Sequence, residues 1–142
     1  MLIIEHTETS AADVRALWSI YADVANWNRW DAAIETSRLN GDFVPGTSGV
    51  LKPAGGPSTP FTLVEVEANR RFSDVSHLPL ARLTFEHVLE PVAGGTRLTH
   101  RIAIDGPLAF VFARLMGPTL RRGVPEAMRS LAALAAGAPL RA

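Results

Sequence analysis

Residues 81–105 run ARLTFEHVLEPVAGGTRLTHRIAID, and their alternation describes one long β-hairpin. On the first arm Leu83, Phe85, His87 and Leu89 alternate with Arg82, Thr84, Glu86 and Glu90. On the second, Leu98, His100, Ile102 and Ile104 alternate with Arg97, Thr99, Arg101 and Asp105. A period of two means one buried face and one wet face. Gly94-Gly95 supplies the tight turn, because glycine reaches positive φ at little cost. One register sets His87 opposite Ile102 and His100 opposite Leu89; the alternative pairs His87 with His100 directly. Both leave the two histidines on the apolar face, and a one-residue slip would destroy the pattern.

Upstream of the hairpin the same alternation recurs in shorter pieces. Phe72–Leu78 and Phe61–Glu67 read as strands joined by a turn at Asn69-Arg70. Val50–Lys52 is a short strand between loops rich in Gly, Pro and Ser. Ile34–Asp42 is another, closed by the turn signal Asn40-Gly41. Leu2–Thr9 is the first strand. Between it and Ile34, Ser10 is the expected N-cap, with Asp13 at N3, of a helix over about residues 11–21. Val14, Leu17, Trp18 and Tyr21 form the apolar stripe of that helix. Trp27 and Trp30, three apart, belong on one side of a helical turn.

Downstream of the hairpin the period changes. Leu108, Phe112, Leu115, Met116, Leu120, Val124, Met128, Leu131 and Ala135 recur in steps of three and four, the stripe of a long helix. Gly117-Pro118 and Pro125 interrupt it, so a kink or break near 117 is expected. Gly137 and Pro139 end it. The order is strand, one or two short helices, about six strands and a long helix, and it makes one α+β domain over residues 1–142. A long helix with an apolar stripe needs a surface to cover. The concave face of the sheet, which carries His87 and His100, is the candidate.

The bulk numbers exclude several classes. The 142 residues carry zero formal net charge, which gives no case for nucleic acid or an anionic membrane surface. With no cysteine there is no disulfide, thiol nucleophile or thiolate metal site. No secretory leader pattern opens the chain, and no apolar run approaches the roughly 20 residues that span a bilayer. A soluble cytoplasmic protein without stable membrane insertion is expected. Gly46, Gly49, Gly55, Gly56, Gly94 and Gly95 match no phosphate-binding spacing, so no cofactor is expected. A metal at His87 and His100 would need a third ligand such as His6 or Asp74, and no metal site is expected.

The order of elements, together with Val14–Trp18, Val24–Asp31, Thr62–Glu67, Phe85–Pro91, Gly95–His100 and Gly106–Ala109, resembles the helix-grip fold of the START-like, or SRPBCC, superfamily. Within it the chain looks most like the polyketide cyclase/dehydrase-type proteins of bacteria. The resemblance implies a curved antiparallel sheet of six to seven strands wrapped around the C-terminal helix, with a tunnel-like cavity for an apolar ligand. Its members include aromatase/cyclases, lipid and steroid carriers and hormone receptors. No catalytic motif transfers residue by residue.

Two functions follow as expectations. One is binding of a small hydrophobic or aromatic molecule between sheet and helix, in carrier or sensor fashion. The other is a cofactor-free polyketide cyclase or dehydrase in which inward-facing His87 and His100 act as general acid and base. Against both stands a purely structural role, the two imidazoles bonding to backbone or to each other. The ligand-facing set is Trp27, Trp30, Asp74, Phe85, His87, His100, Ile102, Phe112 and Met116. One of the two tryptophans is expected in the core and one near the cavity mouth. Asp74 faces inward if Phe72 does and then needs a partner such as an inward histidine; the opposite parity sends it to solvent. Phe110–Met116 is apolar on more than one face, which suits core plus cavity lid or, alternatively, a homodimer contact.

Overall fold

A computed structural model describes residues 1–137. Pro139, expected to terminate the helix, lies outside the described residues. Seven strands form one antiparallel sheet: β1 (Leu2–Ser10), β2 (Ile34–Leu39), β3 (Ser48–Pro53), β4 (Thr59–Glu67), β5 (Arg71–Leu78), β6 (Ala81–Val92) and β7 (Gly95–Asp105). Their spatial order is β1-β7-β6-β5-β4-β3-β2, so every neighbour after the first pair is also a sequence neighbour. The meander closes onto β1 through β7. Helix α1 (Val14–Ala22) and a 3-10 segment (Val24–Arg29) connect β1 to β2 at opposite edges of the sheet. Helix α2 (Ala109–Ala135) runs over β1, β6 and β7.

The hairpin has the register that pairs His87 with His100. Its turn is Ala93-Gly94 rather than Gly94-Gly95: Val92 pairs with Gly95, and Gly94 carries φ 82°. Gly95 is glycine for another reason. A Cβ there would sit 1.9 Å from the carbonyl oxygen of Ser10. The close approach lets β1 finish against the start of β7, where Ser10 pairs with Thr96.

Ser10 is not the helix cap. It is the last residue of β1, and its hydroxyl donates to the carbonyl of Ala132 on α2 at 2.7 Å. Asp13 caps α1 instead, accepting from the Ala16 backbone at 2.9 Å. The competing demand on Ser10 is the far end of α2, which the hydroxyl ties to the sheet edge.

Helix α2 continues through Pro118 and Pro125 without a break. Its buried stripe is Ala109, Gly117, Ala127, Met128, Leu131 and Ala132. Leu115 falls off that stripe and is exposed, as is Phe110. The core divides into two clusters. One gathers Leu17, Tyr21, Trp27, Trp30, Phe61, Leu63, Phe72, Leu98, Met128 and Leu131. The other gathers Ile3, Ala81, Leu83, Ile102, Ile104 and Ala109. Among the described residues no helix is long and apolar enough to cross a membrane.

Candidate functional site

The site grows from a packed aromatic seam on the inner face of the hairpin. Because β6 and β7 pair His87 with His100, the two imidazoles stand side by side, their ring centres 4.6 Å apart and their planes at 75°. Phe72, paired with His87 across β5 and β6, lies flat against it at 3.9 Å with the planes 4° apart. The Phe72 carbonyl takes a hydrogen bond from His87 Nδ1 at 3.1 Å. A carbonyl only accepts, so the proton of neutral His87 is on Nδ1 and Nε2 carries a bare lone pair. Burial pushes the His87 pKa down to about 4, against a smaller upward effect of that hydrogen bond. His87 is therefore uncharged at neutral pH.

His100 is held by α1. Its Nε2 and the Tyr21 hydroxyl share a hydrogen bond of 2.7 Å. Both groups are buried, and burial keeps both uncharged: it lifts the Tyr21 phenol far above its ordinary range and lowers His100 well below its own. Nearby His87 and His6 lower His100 further, His6 being its partner across β1 and β7. Tyr21 was legible only as part of the α1 stripe; nothing in its sequence neighbourhood marks it as the partner of a histidine 79 residues away.

A cavity of about 150 Å³ adjoins this seam, between the 3-10 segment, strands β2–β6 and helix α2. Its walls draw on both core clusters. Trp27 and Trp30 line it, and both are buried. Trp27 is fixed by donating its indole N–H to the Tyr21 carbonyl at 2.9 Å. Trp30 Nε1 has no acceptor among the described residues. Phe85, His87 and Met116 also line the cavity, as do Asp31, Leu51, Leu83 and Leu120, which the sequence pattern did not single out. A smaller neighbouring space of about 40 Å³ is lined by His87, His100, Ile102, Trp30 and Asp31. Of the residues expected to face a ligand, Trp27, Trp30, Asp74, Phe85, His87 and Met116 meet in the larger cavity. His100 and Ile102 reach only the smaller one, and Phe112 packs into the second core cluster without lining either.

Asp74 is the chemically distinctive wall residue. It shares the inner face of β5 with Phe72, Ser76 and Leu78, the parity expected if Phe72 points inward. The histidine partner that this parity called for is missing. Burial alone pushes its carboxyl up to about 7, and no hydrogen bond opposes that rise. His87, which lines the same cavity, has committed its one proton to the Phe72 carbonyl. Asp31 at the cavity edge is also raised by burial, but the Ala33 backbone N–H at 3.0 Å offsets part of the effect. Among the described residues no group of three or more His, Cys, Asp or Glu side chains is placed to hold a metal ion.

A curved sheet gripping a long helix over an apolar cavity is the architecture of a known family. The family described as polyketide cyclase/dehydrase and lipid transport matches residues 1–136. The chain belongs to that family. No curated protein matches it significantly. Solved structures share the fold at low identity. Protein MLL2253 from Mesorhizobium loti is 17% identical, covering 96% of this chain and 98% of its own, with a TM-score of 0.77. Ara h 8.0201 is 13% identical over 94% of this chain and 97% of its own, with a TM-score of 0.69. DynU16, a protein of the dynemicin biosynthetic locus, is 18% identical over 98% of this chain and 49% of its own, with a TM-score of 0.72. At these identities the likeness is one of fold, the helix-grip fold.

Proposed function

We propose that this member of the polyketide cyclase/dehydrase and lipid transport family binds a small, mainly apolar molecule in the cavity between sheet and α2. The observation that carries the reading is a space of about 150 Å³ with mainly apolar walls and one buried carboxyl, Asp74, that has no hydrogen-bond partner among the described residues. Ligand sites have this character: mostly greasy, with a handful of placed polar groups that set orientation. Native mass spectrometry of freshly purified protein, with a thermal-shift panel of single-ring compounds, tests it. The expected result is a small-molecule adduct, or thermal stabilisation by some of the panel, that Met116→Trp abolishes by filling the space. A protein that retains nothing and is stabilised by no member of the panel overturns the reading.

One observation favours catalysis as a second reading. A carboxyl near 7 beside a neutral imidazole is a pair matched to proton transfer at neutral pH. A cofactor-free cyclase or dehydrase needs such a base beside a bound ketone. In this reading ionised Asp74 takes the α-proton, His87 Nε2 accepts from a hydroxyl or enol O–H of the substrate, and His100 packs against His87. Exchange of the methylene protons of a small β-diketone for deuterium, followed by NMR, separates the two readings. A catalyst exchanges them faster than buffer and loses roughly 10²–10⁴ of that rate in Asp74→Asn. A binder exchanges them at the buffer rate.

A further inference from the structure

The ionisable groups of the larger cavity are one-sided. Asp31, Asp74 and His87 line it, and among the described residues no lysine or arginine does. Asp74 is 5% exposed and has no hydrogen-bond or ion-pair partner among the described residues. Asp31 is partly satisfied by the Ala33 N–H. His87 brings no positive charge, its one proton being committed to the Phe72 carbonyl. Around these acids stand the rings of Trp27, Trp30 and Phe85. A buried carboxylate without a partner is costly, and the protein supplies none. Aromatic faces favour a cation and give nothing to an anion. The wall is thus complementary to positive charge carried on an apolar body. Its size limits that body: a space of about 150 Å³ is what a benzene ring fills.

Resting on the ligand-binding reading above, we infer that the occupant is a small protonated amine with a single-ring apolar body. Its ammonium group pairs with Asp74, and its ring packs among Trp27, Trp30 and Phe85. The carboxylate accepts from the N–H donors, so the charge that the fold leaves unbalanced is neutralised from outside. A carboxylic acid of the same size would meet two acids and no positive charge. An alcohol of the same size would fill the space but leave the charge on Asp74 uncompensated. The larger expected ligands of a lipid carrier do not fit the space as it stands.

Three probes of one shape separate these cases: benzylamine, benzyl alcohol and benzoate. Each is titrated above neutral pH into the full chain, followed by the fluorescence of the cavity-lining tryptophans and by calorimetry. Benzylamine is expected to bind at least about tenfold more tightly than benzyl alcohol, with benzoate weakest. Asp74→Asn should remove the preference for the amine while leaving the affinity for benzyl alcohol within a few-fold. Asp31→Asn should keep it. The wild-type ranking tests the inference even if Asp74→Asn does not fold. Equal binding of amine and alcohol by the wild type, or a preference that survives in Asp74→Asn, overturns the amine and leaves the cavity reading intact. If none of the three binds, the amine falls, and the cavity reading stands or falls by the mass spectrum and the thermal-shift panel above.

Discussion

Replacing Asp74 by asparagine should change not only stability but the way stability depends on pH. Burial raises this carboxyl from 3.8 to about 7 in the folded protein. Between those values the unfolded chain releases a proton that the folded chain keeps, so the acid contributes instability that grows as pH rises. The effect is absent below the unfolded value and complete above the folded one. Each pH unit across the interval is worth about 1.4 kcal/mol, for a total of about 4 kcal/mol. Asparagine has nearly the same shape and cannot ionise. The stability difference between variant and wild type should therefore rise with pH from about 4 and level off above about 7. The constant offset from exchanging a carboxyl for an amide drops out, because only the slope is read. Urea unfolding followed by tryptophan fluorescence at a series of pH values measures it. With a denaturant slope of about 2 kcal/mol/M, the midpoint separation should widen by roughly 2 M across the series. A difference that stays flat with pH would refute the reasoning, because it would mean that Asp74 ionises freely in the fold and that the cavity is wet.

The histidines give the opposite slope. His87 is lowered from 6.5 to about 4, so the stability associated with keeping it neutral is fully present above about 6.5 and is lost as pH falls toward 4, a loss of about 3 kcal/mol. His87→Phe, which can keep the stacking on Phe72, should flatten this acid limb in the same urea series; an unchanged limb would assign it elsewhere. Tyr21→Phe leaves His100 Nε2 without its partner in a buried place. It should cost about 1–3 kcal/mol, read by thermal unfolding, and a loss under about 0.5 kcal/mol would show that the hydrogen bond is not formed in solution.

The architecture could be read from the chain because its signals repeat. Strand alternation recurs from Phe61 to Asp105, and the α2 stripe runs for many turns, so local errors are outvoted. Misreadings arose where one residue serves two elements. Ser10 has the chemistry of an N-cap, but its hydroxyl is recruited by Ala132 on a helix 122 residues away. Gly95 looks like a turn glycine beside Gly94, yet it is required by the approach of the Ser10 carbonyl. Leu115 falls within a step of three or four along α2, but Met116 beside it takes the place toward the cavity and Leu115 faces out. Of the kink or break expected near Gly117-Pro118, the break does not occur: α2 is continuous through Pro118 and Pro125. The outcomes at Ser10 and Gly95 depend on tertiary neighbours that no local window contains.

The candidate site divides along the same line. That His87 and His100 share a face with Phe85 and Ile102 follows from alternation alone, and so does the sharing of a face by Phe72 and Asp74. What alternation cannot supply is where a side chain spends its hydrogen bonds. An inward carboxylate beside two inward histidines suggests an internal pair, Asp74 with His87. The fold instead stacks His87 flat on Phe72 and directs Nδ1 to the Phe72 carbonyl, while Tyr21 occupies His100. The hydrogen bonds these two imidazoles make go to groups other than the carboxylate. A buried carboxyl without a partner costs stability in a core that serves packing alone. The side chain persists beside a cavity large enough for one ring, with an indole N–H that also lacks an acceptor. An unpartnered carboxyl on an apolar cavity wall is the feature on which the proposed ligand rests.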